Sequence, residues 1–283
     1  NGMAIPIWLQ SVQMATNSSA GSGPVGPLLR EWRKRRRLSQ LELAIDADVS
    51  ARHLSFVETG RSKPGRDMLL RLGDRLQIPF RDRNRILLAA GYAPAFPEHP
   101  FGAPELAPVR DALDRILKGH EPYPAVVFDQ HWNLVAANAA IQPLIAAIDP
   151  ALLTPPINVL RVAMTLIPQI INAYEVMVYF RDRIQRQLTA NADVQLAQLL
   201  AELESALAEE DQSGSIESDF AQKLGPVRVR APGGGEWSFF GMFGTFDMPF
   251  EVTVSELAIE LLFPADAVTA AAFESLARLR EDS

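Results

Sequence analysis

The sequence contains no cysteine, only four histidines and no long uncharged apolar run. Without cysteine, the chain has no disulfide, thiolate metal site or cysteine nucleophile, which is typical of proteins from the reducing cytoplasm. Because no apolar run approaches the roughly 18 residues of a membrane-spanning helix, we expect no membrane segment. The scattered histidines predict no metal site, and we interpret His131, beside Trp132, as a turn residue rather than a haem ligand.

Charge is distributed unevenly along the 283 residues. Residues 24–99 carry 15 Lys/Arg and 9 Asp/Glu, a net charge of +6, whereas residues 100–283 carry 12 and 25, a net charge of −13. A basic half suits a polyanionic partner, which the acidic remainder would repel. The length favours two domains of ordinary size. The second half has no glycine-rich phosphate loop and no nucleophile with an evident base, so we predict that the protein is not an enzyme.

Turn signals divide the first half into short helices. They lie at Leu38, 48–50, 60–64 and 78–79. We therefore predict that residues 24–95 form a small all-α domain of five helices, preceded by a flexible tail at 1–23. A proline-rich joint follows, and apolar residues recur at helical spacing from Leu106 to Leu117. This pattern predicts a linker with a connecting helix over residues 96–122.

Two of the helix starts can be located from side-chain chemistry. Residues 39–42 (SQLE) form a capping box, in which the Ser39 hydroxyl accepts from the Glu42 amide while the Glu42 side chain reaches back. This helix ends at Asp48, a residue type that tolerates the left-handed conformation of a tight turn. A second helix begins at Ser50 and stops at Gly60.

The second helix has two different faces. Leu54 and Val57 point one way and are predicted to be core, as is Trp32 of the first helix. The opposite face carries Ala51, Arg52, Ser55 and Phe56. Two short helices joined by a tight turn, the second exposing an arginine, match what entry into the major groove of DNA requires.

Residues 39–44 (SQLELA) and 49–64 (VSARHLSFVETGRSKP) resemble the XRE, or Cro and phage-repressor, helix-turn-helix family, which has glycine where this chain has Asp48. The resemblance spans about residues 28–90 and implies binding to double-stranded operator DNA. It implies that Gln40 contacts a phosphate and that Ala51, Arg52, Ser55 and Phe56 face base edges. Arg52 is the main candidate for direct readout, since its guanidinium can donate two hydrogen bonds to guanine.

Further basic residues are predicted to bind phosphates. They are the run 33–37 (RKRRR) together with Arg61, Lys63 and Arg66. An isolated run of this kind is usually a solvated helix face, but beside a helix-turn-helix we favour phosphate binding.

The second half predicts an α+β domain over residues 123–283, with a five-stranded antiparallel sheet and inserted helices. The predicted strands are 125–129, 132–137, 227–231, 237–246 and 250–263, and a slip of register in the last one indicates a bulge. The predicted helices are 138–148, two or three within 157–210, and 266–280.

Six segments of this half look like the MmyB-like ligand-binding domain, a PAS-like fold that follows an XRE domain. They are 123–127 (YPAVV), 132–138 (WNLVAAN), 158–161 (NVLR), 237–240 (WSFF), 245–246 (TF) and 260–266 (ELLFPAD). The resemblance covers about residues 105–275. Residues 173–175 (AYE) differ from the Trp-Glu-Glu-like sequence that the family has at this position. It implies a long-chain fatty acid or a similar amphiphile as the bound ligand.

Many large apolar residues of this half suit a pocket, because Met and Phe repack around flexible ligands, although for any one of them taken alone ordinary core is the favoured interpretation. Arg161, Arg181 and Arg183 are available to a carboxylate head, or would instead pair with surface acids. The predicted ligand residues are Phe128, Leu160, Arg161, Met164, Ile167, Ile171, Met177, Arg181, Phe239, Phe243, Phe246 and Phe263.

Together these patterns predict a cytoplasmic, homodimeric transcription regulator whose operator affinity responds to a small apolar ligand through the helix at 106–117. Dimerisation is expected because readers of this type bind two-fold half-sites. In the alternative hypothesis the second half is a protein-interaction or dimerisation module without a small-molecule ligand.

Overall fold

A computed structural model describes residues 24–190, 193–211, 225–246 and 251–282. The tail expected at 1–23, and Phe250 in the last predicted strand, lie outside these residues. No helix in the described ranges combines the length and the apolar composition needed to cross a membrane.

The first domain has the five helices that the sequence predicts. They are α1 (Val25–Arg35), α2 (Gln40–Asp46), α3 (Ala51–Glu58), α4 (Arg66–Arg75) and α5 (Phe80–Ala89). Leu29, Leu43, Leu54, Val57 and Leu72 meet in one core that excludes water almost completely. Burial of these side chains, each stabilising by roughly 1.5–3 kcal/mol, holds helices that are too short to be stable alone.

The second domain is built on an antiparallel sheet of five described strands in the order β2-β1-β5-β4-β3. The strands are β1 (Ala125–Phe128), β2 (Leu134–Ala137), β3 (Val227–Arg230), β4 (Glu236–Thr245) and β5 (Ala258–Pro264). The prediction of a five-stranded antiparallel sheet with inserted helices is therefore confirmed. His131 lies in the turn between β1 and β2, as expected.

Helices cover both faces of this sheet. They are α6 (Ala107–Gly119), α7 (Gln142–Ile145), α8 (Val159–Thr165), α9 (Ala173–Ala190), α10 (Val194–Asp211), α11 (Val252–Ser255) and α12 (Ala267–Glu281). The connecting helix α6 packs Leu113 and Leu117 against one face. Helices α8, α9 and α10 cover Val126 and Phe128 on the other.

The strand predicted at 250–263 is wrong in its first part, because residues 252–255 form the helical turn α11 and β5 begins at Ala258. Glu251 caps this turn by accepting a hydrogen bond from the Val254 amide at 2.6 Å. The Val252 amide donates to the Pro97 carbonyl at 2.9 Å. These contacts override the β preference of the valines, so the register slip reflects a helical turn and not a bulge.

The helix predicted at 138–148 is also wrong in extent. A short 3-10 turn is followed by the four-residue helix α7. The side chain of Asn138 accepts from the Ala125 amide and donates to the Leu117 and Tyr123 carbonyls, so it holds the chain against the sheet. Pro143 stands in the first turn of α7, where a proline is tolerated.

Candidate DNA-reading surface and ligand cavity

Helices α2 and α3 form a helix-turn-helix with the local geometry that the sequence predicts. The Ser39 hydroxyl accepts from the Glu42 amide at 3.1 Å, and the Glu42 carboxylate accepts from the Ser39 amide at 2.7 Å. Asp48 adopts the left-handed conformation at φ 52°, and Gly60 does so after α3 at φ 73°. These caps and turns set where the two helices begin and end.

A buried ion pair holds the end of α3. Arg33 of α1 donates through Nε and Nη2 to both carboxylate oxygens of Glu58, at 2.6 and 2.8 Å, and Gln40 donates to Glu58 at 2.8 Å. Burial alone would raise the pKa of Glu58, but the hydrogen bonds from Arg33 and Gln40 and the charge of Arg33 outweigh it and lower that pKa. The network thus joins α1, α2 and α3 in one orientation.

The outward face of α3 presents the predicted base-reading residues. Arg52 is exposed, and its guanidinium lies 5.4 Å from the centre of the Phe56 ring. Stacking on an aromatic ring restrains a guanidinium without using its donors. Ser55 and Ala51 are half-buried, and Ala51 also packs against the core. Within the described part of the chain, Arg52 has no carboxylate partner and keeps its donors free.

The predicted phosphate contacts divide into two groups. Arg61, Lys63 and Arg66 are exposed around the loop after α3, with the Lys63 ammonium 5.4 Å from the Tyr92 ring centre. Gln40, the other predicted phosphate contact, lies at the start of α2, and its side-chain amide donates one hydrogen bond to Glu58.

Only part of the basic run 33–37 has free side chains. Arg33 is buried against Glu58. Arg36 donates to the Leu76 and Gln77 carbonyls, and Arg35 pairs with Glu31. In the described ranges, Lys34 and Arg37 are the members of the run that are exposed and have no such partner.

An apolar cavity of about 380 Å³ lies between the sheet and helices α7 and α8. Val126, Leu134 and Leu262 of the sheet line one side. Leu144, Ile145, Val162 and Leu166 lie across from them. The volume is within the range of about 300–1,000 Å³ that is usual for small-molecule sites.

None of the predicted ligand residues lines this cavity. Six of them, Phe128, Leu160, Met164, Ile167, Met177 and Phe243, pack in the neighbouring core under α9 and α10. Phe239 packs on Phe273 of α12, Phe246 packs in the α6 core, and Ile171 and Phe263 are partly exposed. The sequence therefore indicated an apolar domain interior but not the position of the space within it.

The predicted head-group arginines have partners inside the protein. Arg161 forms two hydrogen bonds of 2.8 Å with Glu202, and Arg181 lies 2.8 Å from Asp182. Arg183 lies over the Phe243 ring, 3.8 Å from its centre. None of the three arginines lines the cavity.

Sequence reasoning missed Glu260, the one ionisable side chain among the described residues that line the cavity. Burial raises the pKa of its carboxyl to about 7, and the charge of Arg183 opposes this shift. A signal was present in the sequence, because Glu260 is a charged residue within the otherwise apolar strand 258–263.

The two domains meet where α5 contacts the segment after α11. Arg81 donates to both carboxylate oxygens of Glu256 at 2.8 Å and also pairs with Glu98. The Thr253 hydroxyl donates to the His99 carbonyl at 2.6 Å. The segment that begins β5 is thus attached to the helix-turn-helix domain.

Comparison with known proteins agrees with both halves of this architecture. A helix-turn-helix domain model matches residues 25–85, and the model of the MmyB-like transcription regulator ligand binding domain matches residues 109–276. The uncharacterized HTH-type transcriptional regulator RghRB of Bacillus subtilis (strain 168) is 34% identical over 76 residues, which cover 26% of this chain. The match spans about half, 52%, of that relative's length. The chain belongs to the family with the MmyB-like transcription regulator ligand binding domain, and its first domain is a helix-turn-helix domain.

Proposed function

We propose that this regulator reads operator DNA through α3 and that its operator affinity changes when a small apolar ligand occupies the cavity. The observation that carries the proposal is the continuity of one short segment. Glu256 pairs with Arg81 of the DNA-binding domain, and Glu260, four residues further on, lines the cavity. A ligand that binds unequally to two arrangements of this segment would shift the protein between DNA-binding states.

This route of coupling differs from the one expected through α6. Leu113 and Leu117 of α6 pack on Val127 and Ile259, whose side chains point to the face of the sheet opposite Glu260. Strand β5 is therefore the more direct connection between cavity and DNA-binding domain.

The ligand in this proposal has a long apolar chain, and the fatty acid implied by the family resemblance provides one. The support is the lining, which apart from Glu260 and Gln142 is apolar. Because Arg161 and Arg181 are paired elsewhere, a carboxylate head would have to displace an existing ion pair to reach either of them.

In the same proposal the protein binds DNA as a homodimer in the cytoplasm. One helix-turn-helix reads only a short half-site, and two copies on a two-fold axis read a full site. Phe240 and Met242 of β4 and Phe263 of β5 are 52%, 50% and 40% exposed on one face of the sheet, and they suit contact with a second copy.

The same apolar face favours the alternative, in which the second domain is a dimerisation module without a ligand. Organic extraction of the purified protein followed by mass spectrometry separates the two hypotheses. A stoichiometric amphiphile supports the ligand, and an empty extract from a dimeric protein supports the alternative.

DNA reading can be tested with a binding site selected from a random duplex pool and measured by fluorescence anisotropy. We expect Arg52→Ala to remove about 1–3 kcal/mol of discrimination between the selected and a scrambled site. The control Arg61→Ala should weaken binding to both sites alike. It should also reduce the slope of log Kd against log salt concentration by about one. Unchanged discrimination by Arg52→Ala would reject α3 as the reading helix. If no added ligand changes DNA binding by the wild type, DNA reading by α3 stands but the proposed effect of a ligand on operator affinity is rejected.

A further inference from the structure

We propose that Glu260 is the polar anchor of the cavity and that its carboxyl group donates a hydrogen bond to an uncharged acceptor, such as an ester or lactone carbonyl, at the end of the ligand. This inference rests on the proposed function, because it specifies the ligand of the same cavity.

The position of Glu260 in the sheet directs its side chain to the cavity. It lies on β5 between Val126 of β1 and Phe243 of β4, both of which belong to the apolar core on that face. A Cβ atom at Gly241 would lie 3.2 Å from a carboxylate oxygen of Glu260, so glycine at this position leaves room for the carboxyl group.

The carboxyl of Glu260 has no hydrogen-bond partner among the residues that the structure describes. The Glu260 side chain is partly buried beside the apolar lining, so a ligand that fills the cavity comes within reach of a carboxyl that has no partner in the described residues. The other polar side chain of the lining, Gln142 of α7, is exposed to solvent. Among the described lining residues, Glu260 is therefore the ionisable group that a ligand filling the cavity would meet.

The electrostatic surroundings favour a proton on this carboxyl. Burial raises the pKa of Glu260 to about 7. The charged group that faces it from the packed helices is Arg183 of α9, and that guanidinium lies over the Phe243 ring. Near neutral pH the protonated form is well populated, and its O–H needs an acceptor.

This arrangement discriminates between ligand head groups. An ester carbonyl accepts the hydrogen bond without adding charge. A carboxylate head would place a second negative charge beside Glu260 whenever Glu260 is ionised. An apolar chain with an uncharged end thus fits better than the anion of a fatty acid with the same chain length.

The test measures displacement of a neutral fluorescent probe, N-phenyl-1-naphthylamine, from the full chain at pH 6 and pH 8. The competitors are methyl dodecanoate, dodecanoate, dodecylamine and dodecane. We expect methyl dodecanoate to bind about tenfold more tightly at pH 6, because the protonated fraction of a group with a pKa of about 7 changes by that factor.

Variants identify the group that is responsible. E260Q keeps a donor and should bind the ester equally well at both pH values, whereas E260L should bind it weakly at both. Dodecane should bind all variants alike, which shows that the cavity is intact. The control E204Q removes an exposed carboxyl of α10 and should behave as the wild type.

Two results would overturn the inference while leaving the ligand cavity in place. One is ester binding that is the same at both pH values and in every variant. The other is dodecylamine as the tightest ligand, with its affinity lost in E260Q, because Glu260 would then anchor a cation. If no competitor, dodecane included, binds the wild type, the proposed ligand site itself is rejected together with its anchor.

Discussion

Arg81 and Glu256 join the two domains through a pair of parallel hydrogen bonds, each 2.8 Å long. Burial raises the pKa of Glu256, and Arg81 opposes that rise. We expect Arg81→Ala to lower the free energy of unfolding by about 1.5–3 kcal/mol, because a largely buried carboxyl loses its charged partner. Chemical denaturation followed by circular dichroism measures this loss. Arg85→Ala removes an exposed arginine from the same helix and should cost under about 1 kcal/mol.

The same variant tests whether this contact transmits the effect of the ligand. With Arg81→Ala, operator affinity should no longer depend on ligand, while ligand affinity for the cavity is kept. A ligand effect of wild-type size in Arg81→Ala would show that the coupling takes another route.

The pair Arg33 and Glu58 predicts a different energetic response, because the side chain of Glu58 is only 1% exposed. Arg33→Met should destabilise the protein by about 3–5 kcal/mol, since it leaves a buried carboxylate without its cation. The double variant R33M/E58M should recover most of this loss, because a packed apolar pair replaces the buried charges. Lys34→Ala removes an exposed charge from the same helix and should change stability by less than about 1 kcal/mol. A double variant as unstable as R33M alone would contradict this account.

Close packing of α1 on α3 gives the next prediction. A Cβ atom at Gly26 would lie 2.5 Å from the Val57 carbonyl oxygen and 2.7 Å from that of Glu58, both backbone atoms of α3. Gly26→Ala should therefore push the two helices apart and cost about 1–3 kcal/mol. Gly119 at the end of α6 has open space at its Cβ position, so Gly119→Ala should be neutral or stabilising by up to about 1 kcal/mol. Urea denaturation of both variants distinguishes packing from a general glycine effect.

The helix-turn-helix could be predicted from the sequence because its signals are local. The capping box at Ser39 and Glu42 acts within four residues, and Asp48 and Gly60 each terminate a helix by their own backbone conformation. The partner of Gln40 could not be predicted in this way, because Glu58 lies 18 residues away and is brought close only by the fold.

The cavity shows the same limit in the second domain. An apolar core and an empty space have the same composition, and six of the twelve predicted ligand residues are core residues beside the cavity. The valines at 252 and 254 alternate like a strand, but hydrogen bonds to distant backbone, such as that from Val252 to Pro97, select a helical turn. The position of the cavity and the helical turn at 252–255 are both set by tertiary contacts, which a local sequence pattern does not contain.

The pair His131 and Asp193 predicts a pH dependence of stability. His131 Nε2 lies 2.8 Å from Asp193 Oδ2 and connects the β1–β2 turn to the start of α10. Burial alone would lower the pKa of His131, but the hydrogen bond and charge of Asp193 outweigh it and raise that pKa. A raised histidine pKa stabilises the fold below the unfolded value of about 6.5, and this contribution is lost as the pH rises through the folded value.

We therefore expect His131→Gln to lower the free energy of unfolding by about 1–2 kcal/mol at pH 5.5 and by much less at pH 9. Urea denaturation at the two pH values measures this difference. In an Asp193→Asn background the pH dependence of the His131→Gln effect should become smaller, because the main group that raises the histidine pKa loses its charge while Asp129 and Glu256 remain. The amide oxygen introduced by Asp193→Asn would still be able to cap α10, as Asp193 does by accepting from the Gln195 and Leu196 amides, so the comparison isolates the ion pair from the helix cap. An effect of His131→Gln that is equal at both pH values would mean that the histidine contributes by packing and not by charge.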